Sequence, residues 1–245
     1  MNLAKPAIDV GLFVDGDSDA VLNHWSHTIG VPFDEMLPTG GGVRQHRHAL
    51  GNSVIKINHS RDALDPSPSA GYRELLIANA KVASETDVTD PAGNVVKLVP
   101  PGDVTQLRLR VATPNAAELL DFYREVLELE LVSNSVVSCG DSQIEVVSGP
   151  RPSAAPLRGQ GFRYITIQVH DVIAEHRSIL DRGGKEGAKP VRLGDVAYIS
   201  FVKDPNDNWI EISQRKSLTG KLNCCLLYTS PRPRDATLSR MPSSA

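Results

Sequence analysis

The stretch "DPNDNWIEI" at residues 204–212 repeats a pattern that the chain has already used in "DPAGNVVKL" at residues 90–98. Each copy joins an Asp-Pro turn to an Asn and then to a strand that alternates apolar and polar side chains. The copies differ in charge, because Glu211 in the second corresponds to Lys97 in the first. The repeat predicts a duplicated structural unit whose two copies carry different polar chemistry.

Four segments of the second half of the chain share this alternation. They are "QLRLRV" (106–111), "QIEVV" (143–147), "YITIQV" (164–169) and "WIEIS" (209–213). Each has apolar side chains on one face and polar side chains on the other, which is typical of a strand in a sheet packed on one side only. We therefore expect a sheet whose second face is free to line a cavity.

Helical segments separate these strands. "NAAELLDFYREVL" (115–127) begins with a capping box, Asn115 and Glu118. "DVIAEHRSILDRGG" (171–184) ends at a Gly pair, which is a helix stop signal. The predicted fold class is α+β, with helices on the outer face of half-open, cup-shaped sheets.

The first half repeats this order of strands and helices, but one of its modules is shortened. It has the strand "IDVGLFV" (8–14) and the helical stretch "DAVLNHWSHTIG" (19–30), but the interval from Glu74 to Lys97 is only 23 residues. The matching interval from Tyr164 to Glu211 is 47 residues, so this module is 24 residues shorter. We predict a degenerate N-terminal half over residues 6–101 and a second half over residues 103–215.

Composition limits the classes of function. Residues 224–245 lack apolar periodicity, and "CLLYTSP" and "SRMPSSA" resemble translated adapter DNA, so we expect a non-native tail there. Without its three Arg and one Asp, the formal net charge of −3 becomes −5, which disfavours nucleic acid as a partner. With no long apolar run, no signal peptide and one remaining cysteine, Cys139, we expect a cytoplasmic protein without membrane contact, either monomer or homodimer.

Each half thus contains two modules of strands and helices. The four modules together resemble the vicinal oxygen chelate superfamily, which includes glyoxalase I, bleomycin resistance proteins and extradiol dioxygenases. The motifs that carry the resemblance are "FVKDPNDNWIEI", similar to the final hairpin of that family, and "ELLDFYREVLELE", similar to its first helix. The resemblance implies repeated βαβββ modules and a divalent metal, Mn, Ni, Zn, Mg or Fe, on the polar face. In the second half it implies Gln106, Glu145 and Glu211 as metal ligands, with Tyr164 where the family usually has His.

The polar residues leave alternatives open. Two carboxylates in one cup need a counterion, which is either a metal or an Arg of a neighbouring strand, Arg108 or Arg110. Tyr164 could bind a metal through its oxygen or serve as an aromatic wall. In the first half, Lys56 and Lys97 stand at ligand positions, and an ammonium has no lone pair to donate.

His46 and His48 lie two residues apart on a predicted strand and point the same way. They could bind a metal or relay protons with Glu74 or Asp9, although surface histidines on an edge strand would give the same pattern.

Three functions follow from the resemblance. The first is a metal-dependent lyase or isomerase that acts on a small oxygenated substrate through an enediolate-like intermediate, with Glu145 or Glu211 as the base and Arg108 or Arg110 holding an anionic group. The second is a metal-free protein that binds or sequesters a small aromatic ligand against Trp209, Tyr164 and Tyr198. The third is an extradiol-type dioxygenase, which needs two His and one carboxylate on iron, whereas the equivalent residues here are Gln106, Tyr164 and Glu211.

Overall fold

Two curled β-sheets form the scaffold of this computed structural model, which describes residues 1–64, 67–150 and 154–222. The predicted tail at 224–245 lies outside the described residues. The strands are β1 (Leu3–Val14), β2 (Phe33–Gly40), β3 (Val43–Leu50), β4 (Ser53–Ser60), β5 (Tyr72–Ala78), β6 (Thr86–Asp87), β7 (Val95–Val99), β8 (Leu107–Thr113), β9 (Glu130–Ser133), β10 (Val136–Cys139), β11 (Ser142–Ser148), β12 (Gly161–Val169), β13 (Lys185–Leu193), β14 (Ala197–Lys203) and β15 (Trp209–Arg215). The helices are α1 (Ser18–Asn23), α2 (Ala116–Asp121), α3 (Val172–Asp181) and α4 (Lys216–Thr219), and π-helical turns at His24–Ile29 and Phe122–Val126 extend α1 and α2. In the described part of the chain no helix has the length and apolar character needed to cross a membrane.

Each sheet is built from both halves of the chain. The eight-stranded sheet has the order β13-β14-β15-β12-β1-β4-β3-β2, and the seven-stranded sheet has the order β6-β7-β5-β8-β11-β10-β9. The antiparallel pairs β1–β12 and β5–β8 join the halves, with Val10 opposite Ile165 and Glu74 opposite Arg110.

The predicted cup-shaped sheets are confirmed, but the strands of Glu145 and Glu211, which were expected to share one cup of the second half, belong to different sheets. The short connection from Val99 to Leu107 lets β8 continue the sheet of β5 and β7, since segments that follow each other in sequence usually lie side by side. The first module (β1–β4) and the fourth module (β12–β15) then share the other sheet. The alternating pattern decides which face of a strand is buried, but it does not decide which strand is the neighbour.

The apolar faces predicted from the sequence form the core. One buried cluster contains Leu109 of β8, Ile144 of β11, Ile167 of β12 and Ile210 of β15, each at most 1% exposed. The same cluster includes Leu119 of α2 and Trp25 of the first π-helical turn. The helices cover the convex face of each sheet and leave the opposite, concave face available.

Local capping explains where the helices begin and end. The Asn115 side chain accepts a hydrogen bond from the Glu118 N–H (3.3 Å), which confirms the predicted capping box. Gly30 and Gly183 end their helices with φ of 83° and 94°, in the left-handed region that favours glycine.

The second Asp-Pro turn is held by one buried carboxylate. Asp204 accepts hydrogen bonds from the N–H groups of Asn206 and Asn208 (both 2.9 Å) and from the Asn208 side chain (2.8 Å). The Tyr123 hydroxyl donates a fourth bond (3.3 Å) from the π-helical turn after α2. The turn is thereby fixed to the helix of the preceding module.

The first Asp-Pro turn repeats this arrangement. Asp90 accepts from the N–H groups of Ala92 and Asn94 and from the Asn94 side chain, at 2.8–3.0 Å. The outside donor is here the Trp25 indole N–H (3.0 Å), from the π-helical turn after α1. The repeated motif is thus a structural clamp, and the Glu211/Lys97 difference falls on strand residues beyond it.

The clamp predicts unequal losses of stability. Asp204→Ala leaves several buried donors without an acceptor, so we expect the free energy of unfolding to fall by about 3 kcal/mol or more, whereas Tyr123→Phe removes one bond and costs about 1 kcal/mol. Urea unfolding of both variants measures the difference. Equal losses in the two variants would contradict the role given to Asp204.

Candidate functional site

The concave face of the eight-stranded sheet surrounds a cavity of about 540 Å³, which we call the eight-stranded cup. Its floor is polar, and its walls are largely apolar. The lining includes Phe13, Gln45, Arg47, Lys56, Asn58, Tyr164, Ile199, Phe201, Glu211 and Arg215.

A buried ammonium lies at the floor of this cup. Lys56 of β4 donates hydrogen bonds to Thr166 Oγ1 (2.6 Å) and to Glu211 Oε2 (2.8 Å), and its Nζ lies 4.0 Å from Asp9 Oδ2. Thr166 in turn donates to Glu211 (2.5 Å). Lys56 is 3% exposed, and burial lowers the pKa of its ammonium against the opposing effect of Glu211 and Asp9.

Asp9 is the second carboxylate of this cluster, and it is fully buried on β1. It accepts hydrogen bonds from the Val54 N–H (2.9 Å) and from Gln168 Nε2 (3.1 Å), and it forms an ion pair with Lys5. Burial alone would raise the pKa of Asp9, but Lys56 and Lys5 outweigh burial and the pKa is lowered. Both carboxylates therefore already have a cation at contact distance.

Tyr164 forms an aromatic wall beside this cluster. Its ring lies across Gly11 of β1, where an added Cβ would come within 2.2 Å of the ring, so only glycine permits this packing. The hydroxyl oxygen accepts hydrogen bonds from Asn58 (3.1 Å) and Gln45 (3.3 Å), and burial raises the pKa of the phenol. Of the two alternatives left by the sequence, the structure favours the wall.

Two guanidinium groups share one carboxylate at the side of the cup. Arg215 donates to Glu35 Oε1 (3.2 Å), and Arg47 Nε lies 2.9 Å from the same oxygen. The Arg47 N–H is not directed at Glu35, so this close approach is an ion pair without a hydrogen bond, and Nε has no hydrogen-bond partner among the described residues. Arg47 Nη1 donates to Gln45 (3.1 Å). Burial, and then the neighbouring Arg215, lower the pKa of Arg47.

The seven-stranded sheet has its own cavity of about 430 Å³, the seven-stranded cup, lined in part by Arg73, Glu74, Arg110 and Glu145. Arg110 of β8 donates to Glu74 (2.7 Å) and to Glu145 (2.8 Å). The side chains of this trio are 19–28% exposed, so their ion pairs are more solvated than the Lys56 cluster.

The predicted metal ligands are not brought together. Glu145 lies in the seven-stranded cup and Glu211 in the eight-stranded cup, so the two carboxylates do not share a site. Gln106 precedes β8, and its side-chain oxygen accepts from the Asn52 N–H (3.0 Å). The pairing of modules across the halves separates the set that the sequence placed in one cup.

The other sequence candidates divide between the two cups and the outer faces. Arg110 pairs with Glu145, which supports the Arg counterion alternative for that carboxylate, and Arg108 donates to Gln143 (3.0 Å) in the same sheet. Trp209 packs against Phe201 of the eight-stranded cup at 5.8 Å between rings, while its indole N–H donates to the Ala155 carbonyl (2.8 Å).

Tyr198, His46 and His48 lie outside the cup. Tyr198 packs against the core cluster, because the cup-facing residues of β14 are its apolar set. The cup-facing residues of β3 are Gln45 and Arg47, so the two histidines point to the opposite face of the strand. His48 there contacts the Val31 carbonyl (2.9 Å), and neither His can reach Glu74 in the other sheet.

The donor sets do not fit the divalent metal that the resemblance implies. In each cup a cationic side chain, Lys56 or Arg110, lies between the two carboxylates that would bind the metal. Neither cation has a lone pair to donate to a metal. Among the described residues, no group of three or more His, Cys, Asp or Glu side chains is placed to hold a metal ion. Cys139 is buried in the core, and burial raises the pKa of its thiol to about 11.

Several residues of the eight-stranded cup were not among the sequence candidates. Asn58 follows Lys56 in alternation with Ile55 and Ile57, a signal that could have placed its side chain on the polar face. Arg47 and Arg215 carried no comparable signal, because their proximity depends on the curvature of the sheet.

Comparison with known proteins gives the same architecture. Residues 105–212 match the family described as the Glyoxalase/Bleomycin resistance protein/Dioxygenase superfamily. Glyoxalase I from Zea mays superposes with a TM-score of 0.71 at 15% identity, covering 90% of this chain and 96% of that one. A putative dioxygenase from Bacillus subtilis subsp. subtilis str. 168 superposes with a TM-score of 0.64 at 13% identity, covering 89% and 91%. No curated protein sequence matches the chain. At these identities the likeness to solved structures shows the fold alone.

Because the Lys56 cluster is buried, we expect removal of the Lys56 charge to lower the stability of the fold strongly. Lys56→Met keeps much of the side-chain volume but leaves the Glu211 and Asp9 carboxylates without their shared cation, so we expect a loss of about 3–5 kcal/mol in the free energy of unfolding. The matched change in the other cup, Arg110→Met, breaks two more exposed ion pairs and should cost about 1 kcal/mol. Chemical denaturation compares them. Similar losses would show that the Lys56 charge has no special role.

The lowered pKa of Asp9 predicts a pH dependence. Because the folded-state pKa lies below the ordinary value of 3.8, Asp9 contributes stability that is present above that pH and is lost as the pH falls through the folded-state pKa. The difference in unfolding free energy between wild type and Asp9→Asn should therefore shrink below pH 3.8. Urea unfolding across acidic pH measures it, and a pH-independent difference would contradict the assignment.

Proposed function

We propose that this chain, whose residues 105–212 belong to the glyoxalase/bleomycin resistance protein/dioxygenase superfamily, binds a small organic molecule in the eight-stranded cup without a divalent metal. One observation carries the proposal. The Lys56 ammonium already lies between Glu211 and Asp9, the carboxylates on the strands from which the family would take its ligands.

The cup has the features of a small-molecule site. Its volume of about 540 Å³ is within the range of ligand pockets, and apolar and aromatic walls combined with a few polar groups are the usual composition. Phe13, Tyr164 and Phe201 form a continuous aromatic surface, with ring centroids 6.2–6.4 Å apart between neighbours. This surface would take the apolar body of the ligand.

The metal-dependent lyase or isomerase is less well supported by this geometry. That mechanism needs a cation open to the substrate oxygens and a carboxylate free to move a proton. Glu211 instead accepts hydrogen bonds from Lys56 and Thr166, and Glu145 is paired with Arg110 in the other cup. The extradiol-type reaction needs two imidazoles, and none lines the cup in the described residues.

Metal titration of the full chain tests the proposal. After treatment with a chelator, added Mn, Ni, Zn, Mg or Fe should leave the Tm of the wild type unchanged. In Lys56→Ala the paired carboxylates lose their cation, so we expect a divalent ion to raise the Tm of this variant, in line with about 2.7 kcal/mol of stabilisation at a hundred times the Kd.

Arg110→Ala provides the matched control. It removes the cation between Glu74 and Glu145 in the seven-stranded cup and leaves the Lys56 cluster intact. A metal ion that copurifies with the wild type in stoichiometric amount, or that stabilises the wild type as strongly as Lys56→Ala, would overturn the metal-free proposal.

A further inference from the structure

The cup carries an excess of positive charge. Five cations face three carboxylates in and around its lining, which leaves an excess of two positive charges. The cations are Lys5, Arg47, Lys56, Arg158 and Arg215, and the carboxylates are Asp9, Glu35 and Glu211.

Inside the cup the excess lies at the guanidinium pair, because the other unmatched cation, Arg158, is exposed. Lys56 and Lys5 are matched by Glu211 and Asp9, whereas Arg47 and Arg215 share the single carboxylate of Glu35. The Glu35 side chain is 41% exposed, so water screens its charge and it neutralises the two cations incompletely.

Arg47 has unused hydrogen-bonding capacity inside the protein. Its side chain is 7% exposed and lines the cup, and its buried Nε–H has no hydrogen-bond partner among the described residues. A buried N–H without an acceptor is costly, and that cost is recovered when an acceptor arrives. A guanidinium that holds its present carboxylate in an ion pair without a hydrogen bond at Nε can gain that hydrogen bond from a planar carboxylate that approaches in its plane.

From these observations we infer that the ligand of the eight-stranded cup is a small amphipathic monoanion, a carboxylate with an apolar or aromatic body. The inference rests on the proposed function and adds the ligand class. The carboxylate would accept hydrogen bonds from Arg47 and Arg215, while the body packs on Phe13, Tyr164 and Phe201. Glu35 would act as the competitor that the ligand carboxylate replaces at the guanidinium pair.

A matched pair of probes tests the ligand class by isothermal titration calorimetry on the full chain. The probes are 4-tert-butylbenzoate and its neutral amide, 4-tert-butylbenzamide, which share one apolar body. We expect the carboxylate to bind at least about tenfold more tightly than the amide to wild type. This preference should disappear in Arg47→Gln and weaken in Arg215→Gln, while Glu35→Gln should strengthen carboxylate binding.

Two further variants separate the possible outcomes. Arg73→Gln changes a cation of the seven-stranded cup and should leave the preference intact, and Ile199→Trp fills the eight-stranded cup and should weaken both probes. Circular dichroism checks that each variant is folded, and Arg215→Gln provides a second test if Arg47→Gln does not fold.

The two proposals fail differently. Equal affinity for the two probes, or tighter binding of the cation 4-tert-butylbenzylamine, with Ile199→Trp blocking both, would overturn the anion inference and leave the binding function in place. Absence of binding by any of the probes, or binding that Ile199→Trp does not weaken, would overturn the binding function and the ligand class together.

Discussion

The buried ion cluster of Asp9, Lys56 and Glu211 is the constraint on which the larger cup depends. It joins β1, β4 and β15, so its three charges come from strands that lie on both sides of the junction between the halves. Burying any one of these charges alone would be costly, and each is tolerated because the others lie at contact distance. The cluster thus links strands of both halves and sets the charge at the floor of the cup.

Both cups neutralise two carboxylates with one cationic side chain, but that side chain lies on a different strand in each. In the eight-stranded cup the cation is Lys56, on the last strand of its module, whereas in the seven-stranded cup it is Arg110, on the first. Each cation lies between two carboxylates, but the Lys56 site is buried and the Arg110 site is partly solvated. In both cups a cationic side chain therefore lies at the position between the two carboxylates. The reversal of charge between Glu211 and Lys97 is one part of this rearrangement, since Lys97 pairs with Glu85 and lies 3.9 Å from Glu74.

The sequence predicted the elements and their buried faces well, because alternation of period two and helix caps are local signals. The strands from residue 106 onward, the capping box of Asn115 and the superfamily resemblance are confirmed. The pairing of modules is a non-local property, and strands of equal pattern can exchange neighbours without any change in the local signal. For that reason Glu145 and Glu211 were expected together and lie apart.

The face assignments that failed have a related cause. "VRQHRHAL" lacks a continuous apolar set, so nothing local decides whether Gln45 or His46 points into the cup. On β14 the apolar residues Ile199 and Phe201 line the cup while Tyr198 packs in the core, which inverts the assumption that only polar faces line it. Arg47 and Arg215 come together through the curl of the whole sheet, which no short window of sequence contains.

The joining of each sheet across the halves has a consequence for how such a protein can change over time. Recombination that exchanged one half for that of a relative would replace part of the walls of both cavities at once, and it would remove either Lys56 or the carboxylate of Glu211 with which it is buried. A single substitution at a wall position does not replace parts of both cavities at once. New specificity in this architecture is therefore more accessible through gradual change at individual wall positions than through the shuffling of gene segments.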